Sequence, residues 1–245
     1  MRPIRKGVSP VAGDFNKYED AKPELVSRLG LYCSYCERKI VTLLAVEHIE
    51  PKDGTYGQPH LEKQWSNFLL ACTNCNSCKG SKKVDFKRLL FPDRDNTFYA
   101  YNYDFDGTVH YSAQLLPRQK VMARNALRLV GLEKPVQVFT DSNNQQVALD
   151  RRAQRMEAFG VAQVALSLLE SEPNSVSTKD AIAMMAKQTG FFSIWMKVFN
   201  AYPDMKVRFI QTFEGTAESG CFDMTTGNSI VPALNSDRLT QGGKV

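Results

Sequence analysis

Two C-x-x-C pairs, Cys33/Cys36 and Cys72/Cys75, are separated by 35 residues in a chain of 245. A C-x-x-C turn aims two thiolates at one point, and two such turns complete a tetrahedral all-thiolate site. Zinc suits such a site and carries no redox chemistry, so the expected role is a staple that holds segments 33–36 and 72–75 together. Two unrelated buried pairs are the competing explanation, and the paired spacing argues against it. A thioredoxin-like redox motif would need a βαβ frame around one pair, and neither pair has one. Cys78 makes a third C-x-x-C with Cys75 and reads as a bystander or an alternative ligand.

A second constellation lies between and just after these knuckles: Glu47-His48, then Asn67, then Asn76 directly after Cys75. Glu47 and Asn76 offer hard oxygen ligands, suited to Mg²⁺ or Mn²⁺ rather than zinc. His48 offers a base whose ordinary pKa, about 6.5, lets it take a proton at neutral pH. A lone histidine at a strand end is more often structural. The neighbouring carboxylate, the flanking knuckles and Asn76 together favour chemistry here. Next comes a basic run, Lys79, Lys82, Lys83, Lys87 and Arg88, interrupted by Asp85. Lys79, Lys82 and Lys83 are the candidates for holding phosphates, although charge runs after a knuckle are also common as plain solvated surface.

These groups need elements to carry them. Residues 21–30 read as a short helix with Pro23 in its first turn and Gly30 at its C-cap. The β-branched, apolar run 40–46 predicts a strand that delivers Glu47-His48 at its end. Residues 51–59 read as a loop and 61–66 as a helical turn leading to the second knuckle. Residues 97–111 predict a hairpin about an Asp106-Gly107 turn, and its alternating aromatics (Phe98 to Phe105) read as one packed face. Helices are expected over about 118–130, 142–171, 177–189, 191–201 and 204–214. The polar stretch 225–245, rich in Gly, Asn and Ser, predicts a loose tail. The expected fold class is α+β, divided into a module at 1–112, a helical region at 113–224 and the tail at 225–245.

Bulk properties fit a globular protein: 43% hydrophobic and 23% charged residues. The net charge of +5 sits mostly in residues 1–100, where sixteen Lys and Arg face twelve Asp and Glu, which mildly favours an anionic partner there. No stretch approaches the roughly 20 apolar residues of a membrane span, and no apolar segment follows the basic start, so a cytoplasmic location and no membrane partner are expected. Cysteines clustered in a reducing compartment again read as metal ligands.

The pattern Glu47-His48-Ile49 … Asn67-Phe68-Leu69-Leu70-Ala71-Cys72-x-x-Cys75-Asn76-x-x-Lys79-Gly80 resembles the HNH, or His-Me finger, endonuclease motif. That resemblance implies a ββα-metal core with a four-cysteine zinc staple, followed here by a mainly α-helical region. It implies phosphodiester hydrolysis with His48 as general base, Glu47 and Asn76 on the catalytic metal, and Asn67 ordering the loop behind the base. The last position is often His, and Asn76 there favours magnesium. Four segments extend the likeness: Met1–Gly7, Asp20–Val26, Tyr32–Arg38 and Ala45–Lys52 resemble the PtuB nucleases of Septu-type and retron-associated anti-phage systems. The family implies an ABC/SMC-like ATPase partner, PtuA, and for retron-associated members a reverse transcriptase with its DNA–RNA product. DNA is the expected substrate. An RNA nuclease acting on tRNA, or a non-catalytic zinc module that only binds nucleic acid, are the alternatives.

Overall fold

The computed structural model describes residues 1–135 and 151–245, with only the backbone pairing of 138–140 and 146–148 between them. Helix α1 (Lys22–Leu29) begins with Pro23 near its N-terminus and buries Leu25 and Leu29. Strands β1 (Ala45–His48) and β2 (Phe68–Ala71) pair antiparallel, with Glu47 opposite Leu69 and His48 opposite Phe68. Helix α2 (Thr73–Lys79) follows β2 at once, completing a ββα unit.

The expected strand over 40–46 is shifted. Pairing with β2 covers only 45–48, so Val41 and Leu43 have no ladder to join and stand exposed. Glu47 and His48 are the strand's last two residues, at its end as expected. The expected hairpin is also shortened. Asn96 caps a single helical turn, α3 (Thr97–Ala100), by accepting from the Tyr99 N–H at 3.1 Å. Only β3 (Tyr101–Tyr103) and β4 (Val109–Tyr111) then pair.

Helix α4 (Pro117–Leu129) has Pro117 at its first turn, where its missing N–H is not needed. Strand β6 (Gln146–Ala148), paired with β5 (Val138–Thr140), stands where the first part of a helix over 142–171 was expected; residues 142–145, 149 and 150 lie outside the described residues. Helices α5 (Arg151–Ser171), α6 (Val176–Thr189), α7 (Phe192–Val198) and α8 (Pro203–Thr212) follow. Where α7 meets α8, Trp195 and Phe199 stack with centroids 6.0 Å apart, and Phe209 packs edge to face against both at 5.6 and 5.2 Å.

One buried cluster runs through the ββα unit and the helices. Glu37, directly after the first knuckle, shows how they join. It is buried, yet it meets the Met1 amino group at 3.1 Å, the Tyr103 hydroxyl at 2.8 Å, and the backbone N–H and hydroxyl of Ser193 at 2.7 Å each. Burial alone would raise its pKa; these donors hold it below the usual carboxylate value.

Residues 225–245 are not loose. Ala233 and Asn96 both donate their N–H to the Val245 carbonyl, at 2.8 and 3.0 Å. The buried Asn96 amide also donates to the carbonyls of Cys221 and Ile230, and Lys244 pairs with buried Asp95 at 3.0 Å. Polar composition misleads here because the segment docks through its backbone, satisfying buried polar groups of residues 94–96.

Candidate functional site

The sulfurs of Cys33, Cys36, Cys72 and Cys75 all lie within 4.8 Å of one another, and all four residues are buried. Cys36 and Cys72 stand 3.7 Å apart, too far for a disulfide and close to the edge of about 3.8 Å that a tetrahedron of 2.3 Å metal–sulfur bonds would have. The donor set thus fits a tetrahedral metal ion. Cys72 also caps α2 by accepting from the Cys75 N–H at 3.4 Å. Its neighbours' thiols hold it well below the usual thiol range. Cys78 lies outside the cluster. Arg151, at the start of α5, supplies compensating charge: its guanidinium donates to Cys75 Sγ at 3.1 Å and to the Val130 carbonyl at 2.9 Å. Burial opposes the charge on Arg151, but Cys75 and Cys36 hold its pKa above the ordinary value.

Beside this cluster opens a cleft of about 660 Å³, lined among others by Glu47, His48, Asn76 and Lys79. Successive strand residues point to opposite faces, so Glu47 and His48 enter different surroundings. His48 packs edge-on against Tyr18 and Phe68, with centroids at 4.8 and 5.4 Å. Its Nε2 lies 2.8 Å from the Glu62 carbonyl. A carbonyl can only accept, so Nε2 carries the hydrogen and the neutral ring keeps its lone pair on Nδ1. Burial pushes the imidazole pKa down, which favours this neutral form.

Asn67 does not line the cleft. Its side chain accepts from the Glu50 N–H at 2.8 Å and donates to the carbonyls of Glu50 at 2.9 Å and Leu61 at 3.3 Å. It thus closes the loop between β1 and β2 at both ends, and Leu61 immediately precedes the carbonyl that orients His48. Asn76 sits half-buried on α2 and faces the cleft.

Glu47 is 2% exposed and is held by Lys79, itself 2% exposed, at 3.0 Å. The Lys79 ammonium also donates to the His48 carbonyl at 2.6 Å, and the Tyr35 hydroxyl reaches the same Glu47 oxygen at 3.4 Å. Burial raises the Glu47 pKa, and Lys79 opposes that rise. The expectation that Lys79 reaches out to phosphate is corrected: being α2's last residue, it turns inward and binds the strand. Lys82 and Lys83 remain exposed.

Residues 33–82 match the family model of the HNH endonucleases. Over 141 residues the chain is 30% identical to the protein named "Retron Vc95 putative HNH endonuclease" from Vibrio cholerae serotype O1 biovar El Tor, spanning 53% of this chain and 68% of that protein. The chain belongs to the HNH endonuclease family. As an HNH nuclease it acts on nucleic acid with a divalent metal. No helix among the described residues is long and apolar enough to cross a membrane.

The HNH site is held by groups that sequence reasoning did not find. The Glu62 carbonyl is backbone and leaves no side-chain signal. Tyr18 and Tyr35 look like ordinary core aromatics, and Arg151 is 76 positions from the sulfur it meets. For the divalent ion, Glu47 and Asn76 bring a carboxylate and an amide oxygen to one cleft. Both contacts to Glu47 fall on Oε1, so Oε2 makes neither. That hard-oxygen pair fits a small cation that keeps most of its remaining shell as water or phosphate. Removing Lys79 should expose the cost of the buried carboxylate. Lys79→Met is expected to lose about 3–5 kcal/mol in chemical denaturation, with part regained in the double variant carrying Glu47→Gln. Wild-type stability in Lys79→Met would overturn the assignment of Lys79 as the internal counter-ion.

Proposed function

We propose that the protein is a DNA endonuclease in which His48 is the general base, Glu47 and Asn76 hold a catalytic Mg²⁺ or Mn²⁺, and a zinc ion is bound by Cys33, Cys36, Cys72 and Cys75. The observation that carries this reading is the His48 Nε2 contact with the Glu62 carbonyl, because it leaves Nδ1 as the ring's proton acceptor on a residue that lines the cleft. Nδ1 removes a proton from the attacking water, and the ring passes it on without a covalent intermediate. Tyr18 and Phe68 limit the ring's tilt, and Asn67 fixes the loop that supplies the orienting carbonyl. The ion on Glu47 and Asn76 supplies positive charge where the phosphate and the leaving 3′ oxygen become more negative. Support for DNA and for a role in anti-phage defence comes from the resemblance to PtuB and from a relative whose name places it with a retron.

His48→Ala is expected to fold and bind substrate but to cleave about 10²–10⁴-fold more slowly. Products should carry 5′-phosphate and 3′-hydroxyl ends. Wild-type cleavage by His48→Ala, or a 2′,3′-cyclic phosphate on RNA as the main product, would sink the proposed mechanism.

The zinc is structural in this proposal, so its binding free energy is part of the folding free energy. Elemental analysis should find one zinc per chain, and Cys75→Ser should lose both zinc and the folded knuckle. A fully folded protein without zinc would contradict it.

We infer further that the helical region docks an ABC/SMC-like ATPase. Met156, Val164 and Leu168 stand exposed along one face of α5, Val164 at 69%. Truncation is unsuited as a test because the helices share the core of the ββα unit. The double variant Val164→Glu/Leu168→Glu should instead lose co-purification with a co-expressed ATPase. Retained binding would refute this docking face.

A further inference from the structure

Past the cleft, beyond Gly80 and Ser81, the chain enters a second groove of about 430 Å³. One rim is the segment after α2, with Lys82, Lys83 and Arg88. The other is α4, with Asn125 and Arg128. Leu89 and Leu129, both mostly buried, form an apolar floor between them. The Asn125 side-chain amide donates to the Arg88 carbonyl at 3.1 Å, which ties the two rims together.

The charge of this groove is poorly compensated. Four cations line it and only one carboxylate, Asp85, lines it with them. Among the described residues Lys83 and Arg88 make no ion pair. Arg128 pairs with Glu133 at 3.1 Å, but both side chains are well exposed. Such a pair is worth little, so an incoming anion exchanges for it at small cost. Cations on two rims with an apolar floor between them suit a polynucleotide strand, its phosphates on the rims and its sugars over the leucines.

We propose that this groove is a second phosphate-binding site that takes the backbone of the substrate nucleic acid several nucleotides from the scissile bond. The proposal deepens the nuclease assignment and rests on it. Lys82, on the groove's rim, directly follows Gly80 and Ser81, which line the cleft, so the two sites are neighbours along the chain and one strand is proposed to occupy both. It adds affinity without base selectivity, and it makes binding depend on substrate length. The sequence hinted at only one rim, since Arg128 is 40 positions beyond Arg88.

The test is binding of end-labelled oligonucleotides of graded length to the full chain, by fluorescence anisotropy over a salt series. Arg88→Ala/Arg128→Ala removes two surface charges and no core packing. Arg118→Ala, an exposed cation of α4 outside the groove, is the control. On long duplexes the double variant should weaken binding, and the slope of log K against log salt should shrink by about 1.8, or 0.9 per phosphate contact. The loss should vanish on oligonucleotides that span only the cleft. Equal losses at all lengths, an unchanged salt slope, or the same effect from Arg118→Ala would overturn the proposal. Binding is read apart from cleavage, so a failure of the His48 mechanism would not be mistaken for a failure of the groove.

Discussion

Four sulfurs held within 4.8 Å of one another in a buried site are the constraint from which the rest of the site is built. Thiolates confined at that distance repel unless a cation sits among them, and the packing around them assumes that they stay together. Their meeting fixes where α2 starts, because Cys72 is at once a cluster member and the α2 cap. With α2 so fixed, Asn76 and Lys79 arrive on the strand side of that helix. Arg151 then ties the start of α5 to the same cluster through Cys75. A change at one sulfur therefore reaches the cleft on one side and the helical region on the other.

Glu37 extends that coupling. The residue after Cys36 has a positive φ of 64°, a conformation uncommon for a residue with a side chain. The turn pays for that conformation with four donors, drawn from Met1, Tyr103 and Ser193. The knuckle is thereby anchored to the chain's beginning, to the β3–β4 pair and to α7. This is why the helices cannot be regarded as an appendage in packing terms, whatever their separate task. The local strain at the knuckle and the buried carboxylate beside it are both compensated by groups that are distant in sequence.

Much of the site was legible because its chemistry depends on side-chain type at short spacing. Two C-x-x-C pairs, Glu47 beside His48, and Asn76 beside Cys75 are all local patterns, and the ββα unit follows from where they sit. What escaped was long-range or backbone in nature. The start of β1 depends on how much of β2 is there to pair with, and an apolar run at 40–46 does not record that length. The Glu62 carbonyl that orients His48 has no residue-type signature. Docking of 225–245 rests on backbone carbonyls meeting buried amides, which polar composition conceals. Lys79 looked like its neighbours Lys82 and Lys83 in the sequence, and only its place on the last turn of α2 sends it inward.

That difference between lysines reveals how the molecule sorts its cations by depth. Lys79 and Arg151 are buried, and each is matched to an anionic group, Glu47 or the thiol cluster. A cation in that position is already neutralised, so it organises its surroundings and adds little attraction for a polyanion outside. Lys83 and Arg88 are exposed without a carboxylate partner among the described residues, so their field extends into solvent. The two kinds meet within one stretch of ten residues, 79–88. Helix α2 ends between them, at Gly80 with a φ of +49°. A helix continued past that glycine would carry the next cations round its axis in step with Lys79. Ending it there sends the chain out of the cleft and onto the surface, so adjacent lysines serve opposite electrostatic purposes.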